Sequence, residues 1–265
     1  MSGTPSERSA STLKLATLLF FSGACALIYQ VIWIRELRLI FGATTLASSA
    51  VLAIFMGGLG LGNALLGKRS DQFTRPVRFY ALLELAIAVS VALSPFLIDL
   101  TRYAYVRAGV QSTMGVEVAT IARLLAATAI LILPTIFMGG TLPAAARAVT
   151  SQLDAKRRNL ACIYGINTLG AVLGAGLANF LLLELLGNRV LLWLACLVNL
   201  LLAAISLWYS RQLVAGDQQQ AADASVSPLV TTESEAAVQR PRPHAVLLYF
   251  TAAVVGFVFF QMEIV

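Results

Sequence analysis

The sequence predicts an all-α fold: a polytopic membrane bundle of six transmembrane helices, with a seventh that opens a second repeat. Three observations predict it. Of 265 residues, 58% are hydrophobic and 12% are charged, too few charges to cover a soluble domain of this length. Apolar runs of the ~20 residues that a span requires recur from end to end, which excludes a leader segment ahead of a soluble domain. The basic residues stand in short clusters between those runs, as in membrane topology signals and unlike a nucleic-acid-binding stripe.

Residues 1–12 form a polar, Ser/Thr-rich tail. Spans are expected at about 13–34, 43–67, 79–98, 118–146, 160–186 and 190–209, giving a six-helix domain over 13–210. Residues 211–243 are rich in Gln, Ala, Ser, Glu and Pro, have few aromatics, and read as a flexible linker. A seventh apolar run fills 245–265, so the closing unit is 244–265.

Placing the N-terminus in the cytoplasm puts 13 Lys and Arg inside and 6 outside. The inside set is Arg8, Lys14, Lys68, Arg69, Arg75, Arg78, Arg147, Lys156, Arg157, Arg158, Arg211, Arg240 and Arg242. That asymmetry predicts a cytoplasmic N-terminus and a cytoplasmic linker, in a cell membrane of inner-membrane type.

Two repeats are visible. "IFMGG" occurs at 54–58 and again at 136–140. "GACALIYQVI" from Gly23 lies over "GFVFFQMEIV" from Gly256, which sets Gln30 on Glu263. The last run therefore reads as the first span begun again, and the expectation is a chain that stops at the start of a second membrane block.

Small residues supply the expected packing sites. Gly58 and Gly62 stand four apart in "GGLGLGNALLG", as do Gly170 and Gly174 in "GINTLGAVLGAG". Lipid gives little hydrophobic force between helices, so close backbone contact must hold them. These glycines lie within lipid-length runs and lack the strand that a nucleotide-binding loop needs. Pro134 and Pro143 flank the second "IFMGG" and permit a bend in the fourth span.

Polar groups at membrane depth are the candidate site: Gln30, Asn63, Glu84, Asn167 and Glu263. A charge at the centre of a span costs about 2.5–3.5 kcal/mol unless it is paired or faces water. They read either as interhelical hydrogen bonds or as a polar cavity where a cationic or polar solute meets a carboxylate. Glu84 is six residues into its span and is expected near the cytoplasmic interface. Trp33 is expected as an interfacial anchor, with Arg35, Glu36 and Arg38 reaching headgroups or water. Cys25, Cys162 and Cys196 read as buried small hydrophobes, with no CxxC and only one histidine, His244, in the chain. No metal site and no Ser-His-Asp triad is expected.

In the loop "GKRSDQFTRP", Gly67, Asp71 and Arg75 are similar to part of the cytoplasmic loop signature of the major facilitator superfamily, in which a carboxylate holds helix ends through basic partners. The second glycine and the closing basic residue of that signature are missing. Four longer motifs occur in order: "SGACALIYQVIWIREL" at 22–37, "FMGGLGLGNALLGKRSD" at 55–71, "LPTIFMGGTLPAAAR" at 133–147 and "YGINTLGAVLGAGLANFLLLELLG" at 164–187. Together they resemble the membrane region of bacterial spermidine synthase-like membrane proteins, a facilitator-like membrane region fused to a synthase domain.

The resemblance implies a soluble domain that transfers an aminopropyl group from decarboxylated S-adenosylmethionine to putrescine. None of that domain lies in this chain, so no catalytic residue, cofactor or metal ligand is assigned to it. The implied partners are the lipid bilayer, a C-terminal membrane block, a synthase domain and polyamines, with no nucleic acid. Three functions stay open: a membrane anchor or polyamine-related transport module of such a fusion, the first half of a facilitator-type transporter, or a structural scaffold.

Overall fold

The computed structural model describes residues 5–41, 45–107, 115–149 and 156–224, all helical except a turn at 73–75. His244, Glu263, most of the expected linker and the whole seventh run lie outside the described residues. The helices are α1 (Pro5–Phe41), α2 (Thr45–Gln72), α3 (Pro76–Arg107), α4 (Gly115–Val149), α5 (Lys156–Leu177) and α6 (Leu183–Ala224). A five-residue π-helical turn, Ala178–Leu182, joins α5 to α6.

Five stretches are long and apolar enough to cross a membrane: Leu13–Leu39, Ser48–Gln72, Pro76–Ala104, Val118–Ala148 and Leu160–Leu213. The expected count was six spans. The difference lies in the last stretch, whose 54 residues are helical through the boundary expected near 186–190. A straight helix of that length would reach ~80 Å, far beyond a ~30 Å hydrocarbon core. It is not straight. Gly187 has φ 71° and ψ 171°, and two helices meet there at a kink. Only glycine takes that backbone conformation without a Cβ clash.

Cross-helix contacts fix the directions. α5 runs alongside α1 in the same sense, with Gly170 at Phe20 and Gly174 at Ala24. Beyond Gly187 the chain runs back, with Asn188 at Glu36, Asn199 at Tyr29 and Tyr209 at Lys14. α3 is parallel to α1, with Glu84 at Ser22 and Ser94 at Trp33. α2 and α4 are parallel to each other, with Gly58 at Thr135 and Gly67 at Pro143.

The glycines do the work expected of them. A Cβ on Gly62 would overlap the Ile136 carbonyl, and one on Gly58 would overlap the Thr135 side chain. Gly139 meets the Leu59 carbonyl from the opposite side, so the two "IFMGG" copies interlock. Gly170 and Gly174 seat against the backbone of Phe20 and Ala24, and Gly23 against Asn167. The α2–α4 and α1–α5 pairs are the most intimate in the bundle.

Other expectations shift. α1 begins at Pro5, so residues 5–12 of the expected tail are helical, and α6 runs on to Ala224, into the expected linker. α4 is a single helix through Pro134 and Pro143. Trp33 is not an interfacial anchor: it is 0% exposed, between Tyr29 and Phe55. α1 continues two turns past it, to Phe41. Its indole N–H donates to Ser94 Oγ at 3.1 Å, and Ser94 donates to the Val91 carbonyl at 2.7 Å. Pro95 lacks the N–H that would otherwise serve that carbonyl.

Candidate functional site

Glu84 sits on α3 with 0% exposure. It lies eight residues after the start of α3 at Pro76, on the face that meets α1 and α6. Each carboxyl oxygen accepts one hydrogen bond. Ser22 Oγ of α1 donates to Oε1 at 2.6 Å, and Asn199 Nδ2 of α6 donates to Oε2 at 2.6 Å. The Asn199 carbonyl oxygen in turn accepts from Tyr29 Oη of α1 at 3.0 Å. The buried Tyr80 hydroxyl, one turn earlier on α3, approaches the carboxyl without closing a hydrogen bond of good geometry. Among the described residues no Lys or Arg pairs with Glu84.

Beside this network lies a cavity of about 410 Å³. Its walls come mainly from α1, α2, α4 and α5, with Ile87 of α3 and Asn199 of α6 at the back. Most of the lining is apolar. Its polar groups include Ser22, Tyr29, Asn63, Thr141, Asn167 and Asn199. The cavity reaches the surface between α2 and α5, where Gly60, Asn63, Tyr164 and Thr168 are exposed. Ala26 and Gly60 in its wall lie about half-way along Leu13–Leu39 and Ser48–Gln72, so it sits near mid-span. Glu84 itself does not line the cavity; Ser22 and Asn199 both line it and bind Glu84 from that side.

Of the candidate residues, Asn63 and Asn167 line the cavity and Glu84 stands one layer behind it. Gln30 is buried on α1 but outside the cavity wall. Glu263 lies outside the described residues. Asp71 and Arg75 are exposed, and no ion pair joins them among the described residues. Cys25 and Cys196 are buried as expected, with Cys25 against the Ala195 carbonyl, but Cys162 is exposed because its side of α5 faces out of the bundle.

The sequence reading missed Asn199, Tyr29 and Ser22. Asn199 carried the same signal as Asn167, an amide inside a long apolar run ("LACLVNLLLAAIS"). Ser22 and Tyr29 carried none, because a single hydroxyl costs little in a span and is common there.

A second polar layer closes one end of the bundle. Asn188 Nδ2 donates to Glu36 Oε1 at 2.7 Å, and Arg189 pairs with Asp99 at 2.6 Å. The second pair is open to solvent, with side chains 69% and 54% exposed. Among the described residues there is no group of three or more His, Cys, Asp or Glu fit to hold a metal ion. Comparison of the chain with protein-family models, curated proteins and solved structures finds no match.

Proposed function

We propose that this chain is a six-span integral membrane domain whose mid-span cavity binds a small polar solute, serving as the transport module of a spermidine synthase-like membrane protein. The cavity carries the reading. Amides and hydroxyls at this depth cost free energy unless they are used, and here they converge on a space large enough for a solute.

The six-span count rests on the chain reversal at Gly187, with Leu160–Leu186 and Asn188–Leu213 as separate crossings. The order of motifs along the sequence supports the family reading. A facilitator-like half is supported by the pairing of helices: exchanging α1–α3 with α4–α6 maps the α1–α5 pair onto the α4–α2 pair. That pairing equally favours the second reading, the first half of a facilitator-type transporter without an attached enzyme. The charge asymmetry orients the N-terminus toward the cytoplasm.

Binding tests the proposal. The full chain in nanodiscs is equilibrated with radiolabelled putrescine, with a neutral polyol and with an anionic dicarboxylate. Retention of one of them above empty nanodiscs, lost in Asn63→Leu/Asn167→Leu, is the expected result. No retention of any leaves the anchor reading in place. Orientation is checked by single cysteines at Asp71 and Tyr103, in a background lacking the native thiols. Asp71→Cys is expected to label from the cytoplasmic side and Tyr103→Cys from the other.

A further inference from the structure

We infer that a proton on Glu84 and a cationic solute in the cavity exclude each other, so that the cavity is a proton-for-cation exchange site. The inference rests on the solute-binding reading above and adds the charge class of the solute and the ion coupled to it.

The hydrogen-bond directions carry it. With Glu84 ionised, Ser22 and Asn199 both aim donors at the carboxylate. Ser22 then turns its oxygen lone pairs, not its hydrogen, to the cavity that it lines. The carboxylate charge stands behind this wall, and no base among the described residues cancels it. In a low-dielectric bundle an uncompensated charge sets the sign of the potential nearby. Lone pairs in the wall, a negative field behind it and the rings of Tyr29, Phe55 and Tyr164 at its surface suit an ammonium cation.

Protonation reverses those features. A hydronium in the cavity gives its proton to Ser22 Oγ, whose own hydrogen passes to Glu84 Oε1, leaving water, an intact serine and a neutral carboxyl. The new Glu84 O–H must donate, and Ser22 Oγ is the acceptor 2.6 Å away. The Ser22 hydrogen then points into the cavity. The wall now presents a donor where an ammonium needs an acceptor, and the field has gone.

The other titratable groups around the network do not substitute for Glu84. α1 contributes Tyr29 and Cys25, α6 contributes Cys196, α3 itself contributes Tyr80, and α5 contributes Tyr164 at the wall. The cavity walls from α2 and α4 hold no titratable side chain. Each of these groups is a phenol or a thiol, and none is a carboxyl.

The test uses the full chain in nanodiscs and n-butylammonium as probe. Calorimetric titrations in two buffers of different ionisation enthalpy read protons released per cation bound. Within the range where Glu84 is protonated, the wild type is expected to release roughly one proton per cation and to gain about tenfold in apparent affinity per pH unit. Glu84→Gln keeps the shape, accepts from Asn199 and donates to Ser22 as the protonated carboxyl would, and is expected to show no proton release and a flat pH profile. Glu84→Asp is expected to restore proton release. Infrared difference spectra between acid and neutral pH are expected to show a protonated carboxyl band that is lost in Glu84→Gln. Cation binding with no proton release, or with the same release in Glu84→Gln, overturns the exchange and leaves the solute site standing. Absence of binding in wild type and variants alike removes both. If Glu84→Gln fails to assemble, the pH profile of Ser22→Ala decides: it is expected to keep proton release at saturation but to slow it, and unchanged kinetics refute the relay through Ser22.

Discussion

Asn199 joins α1, α3 and α6, and its removal tests whether the network is a unit. At a pH where Glu84 is ionised, Asn199→Ala deletes a hydrogen bond to a charged carboxyl, worth about 1.5–3 kcal/mol, and the acceptor for Tyr29 Oη, worth about 0.6 kcal/mol by membrane-protein averages. The expected loss is about 2–4 kcal/mol of stability. Tyr29→Phe removes only the second contact, made at 3.0 Å, and is expected to cost about 0.5–1 kcal/mol. The double variant is expected to be no worse than Asn199→Ala alone, because that substitution has already broken the Tyr29 bond. Subadditivity of about 0.6 kcal/mol follows, at the edge of what a double-mutant cycle resolves. The measurement is reversible unfolding of the full chain in bicelles by steric trapping. If Asn199→Ala costs no more than Tyr29→Phe, or the two effects add in full, Asn199 does not bridge the three helices and the network is a set of separate contacts.

Three further outcomes follow from the packing. Gly62→Ala drives a methyl into the Ile136 carbonyl and is expected to destabilise the bundle by about 1–3 kcal/mol, whereas Gly57→Ala meets open space and is expected to be neutral or slightly stabilising in the same unfolding assay. Trp33→Phe breaks the indole bond to Ser94 and is expected to cost about 1–2 kcal/mol; Ser94→Ala with Phe in place is expected to cost about 1 kcal/mol more, because the Val91 carbonyl then loses the donor that Pro95 cannot supply. Arg189→Ala removes an exposed ion pair and is expected to cost less than ~1 kcal/mol, with the difference shrinking in high salt.

The sequence made the helices legible because span formation depends on local hydropathy, and each described apolar run became a helix. Ends were read less well. The hydrophobic window cannot see that α1 extends two turns beyond Trp33 or that α3 begins before the apolar run does. Burial between helices was not legible either: Trp33 and Glu84 are both fully buried, and only the packing of other helices against them decides that. The glycine pairs were legible as packing sites from their spacing, though not which helix each would meet. Glu84 was legible as an expensive carboxyl. Its partners were not, because Ser22 lies 62 residues away and Asn199 115 residues away, and only the tertiary fold brings them within reach.

Two kinds of adhesive hold this bundle, and they are kept apart. Backbone contact through glycine joins α1 to α5 and α2 to α4. Such an interface has one register, because any slide drives Cβ atoms into carbonyls. To α1, α3 and α6 are tied by directional bonds instead: Ser22 to Glu84, Tyr29 and Glu84 to Asn199, Trp33 to Ser94. Those bonds depend on the charge and orientation of a few side chains, so they can be remade without a steric clash. α3 also packs closely along α4, where Gly140 meets Leu83, so the part most free to respond to a change at Glu84 is α6, while the glycine pairs that form most of the cavity wall stay fixed. A bundle in which α1–α5 and α2–α4 distances, read by paired spin labels, moved as much as α1–α6 between acid and neutral pH would contradict this division.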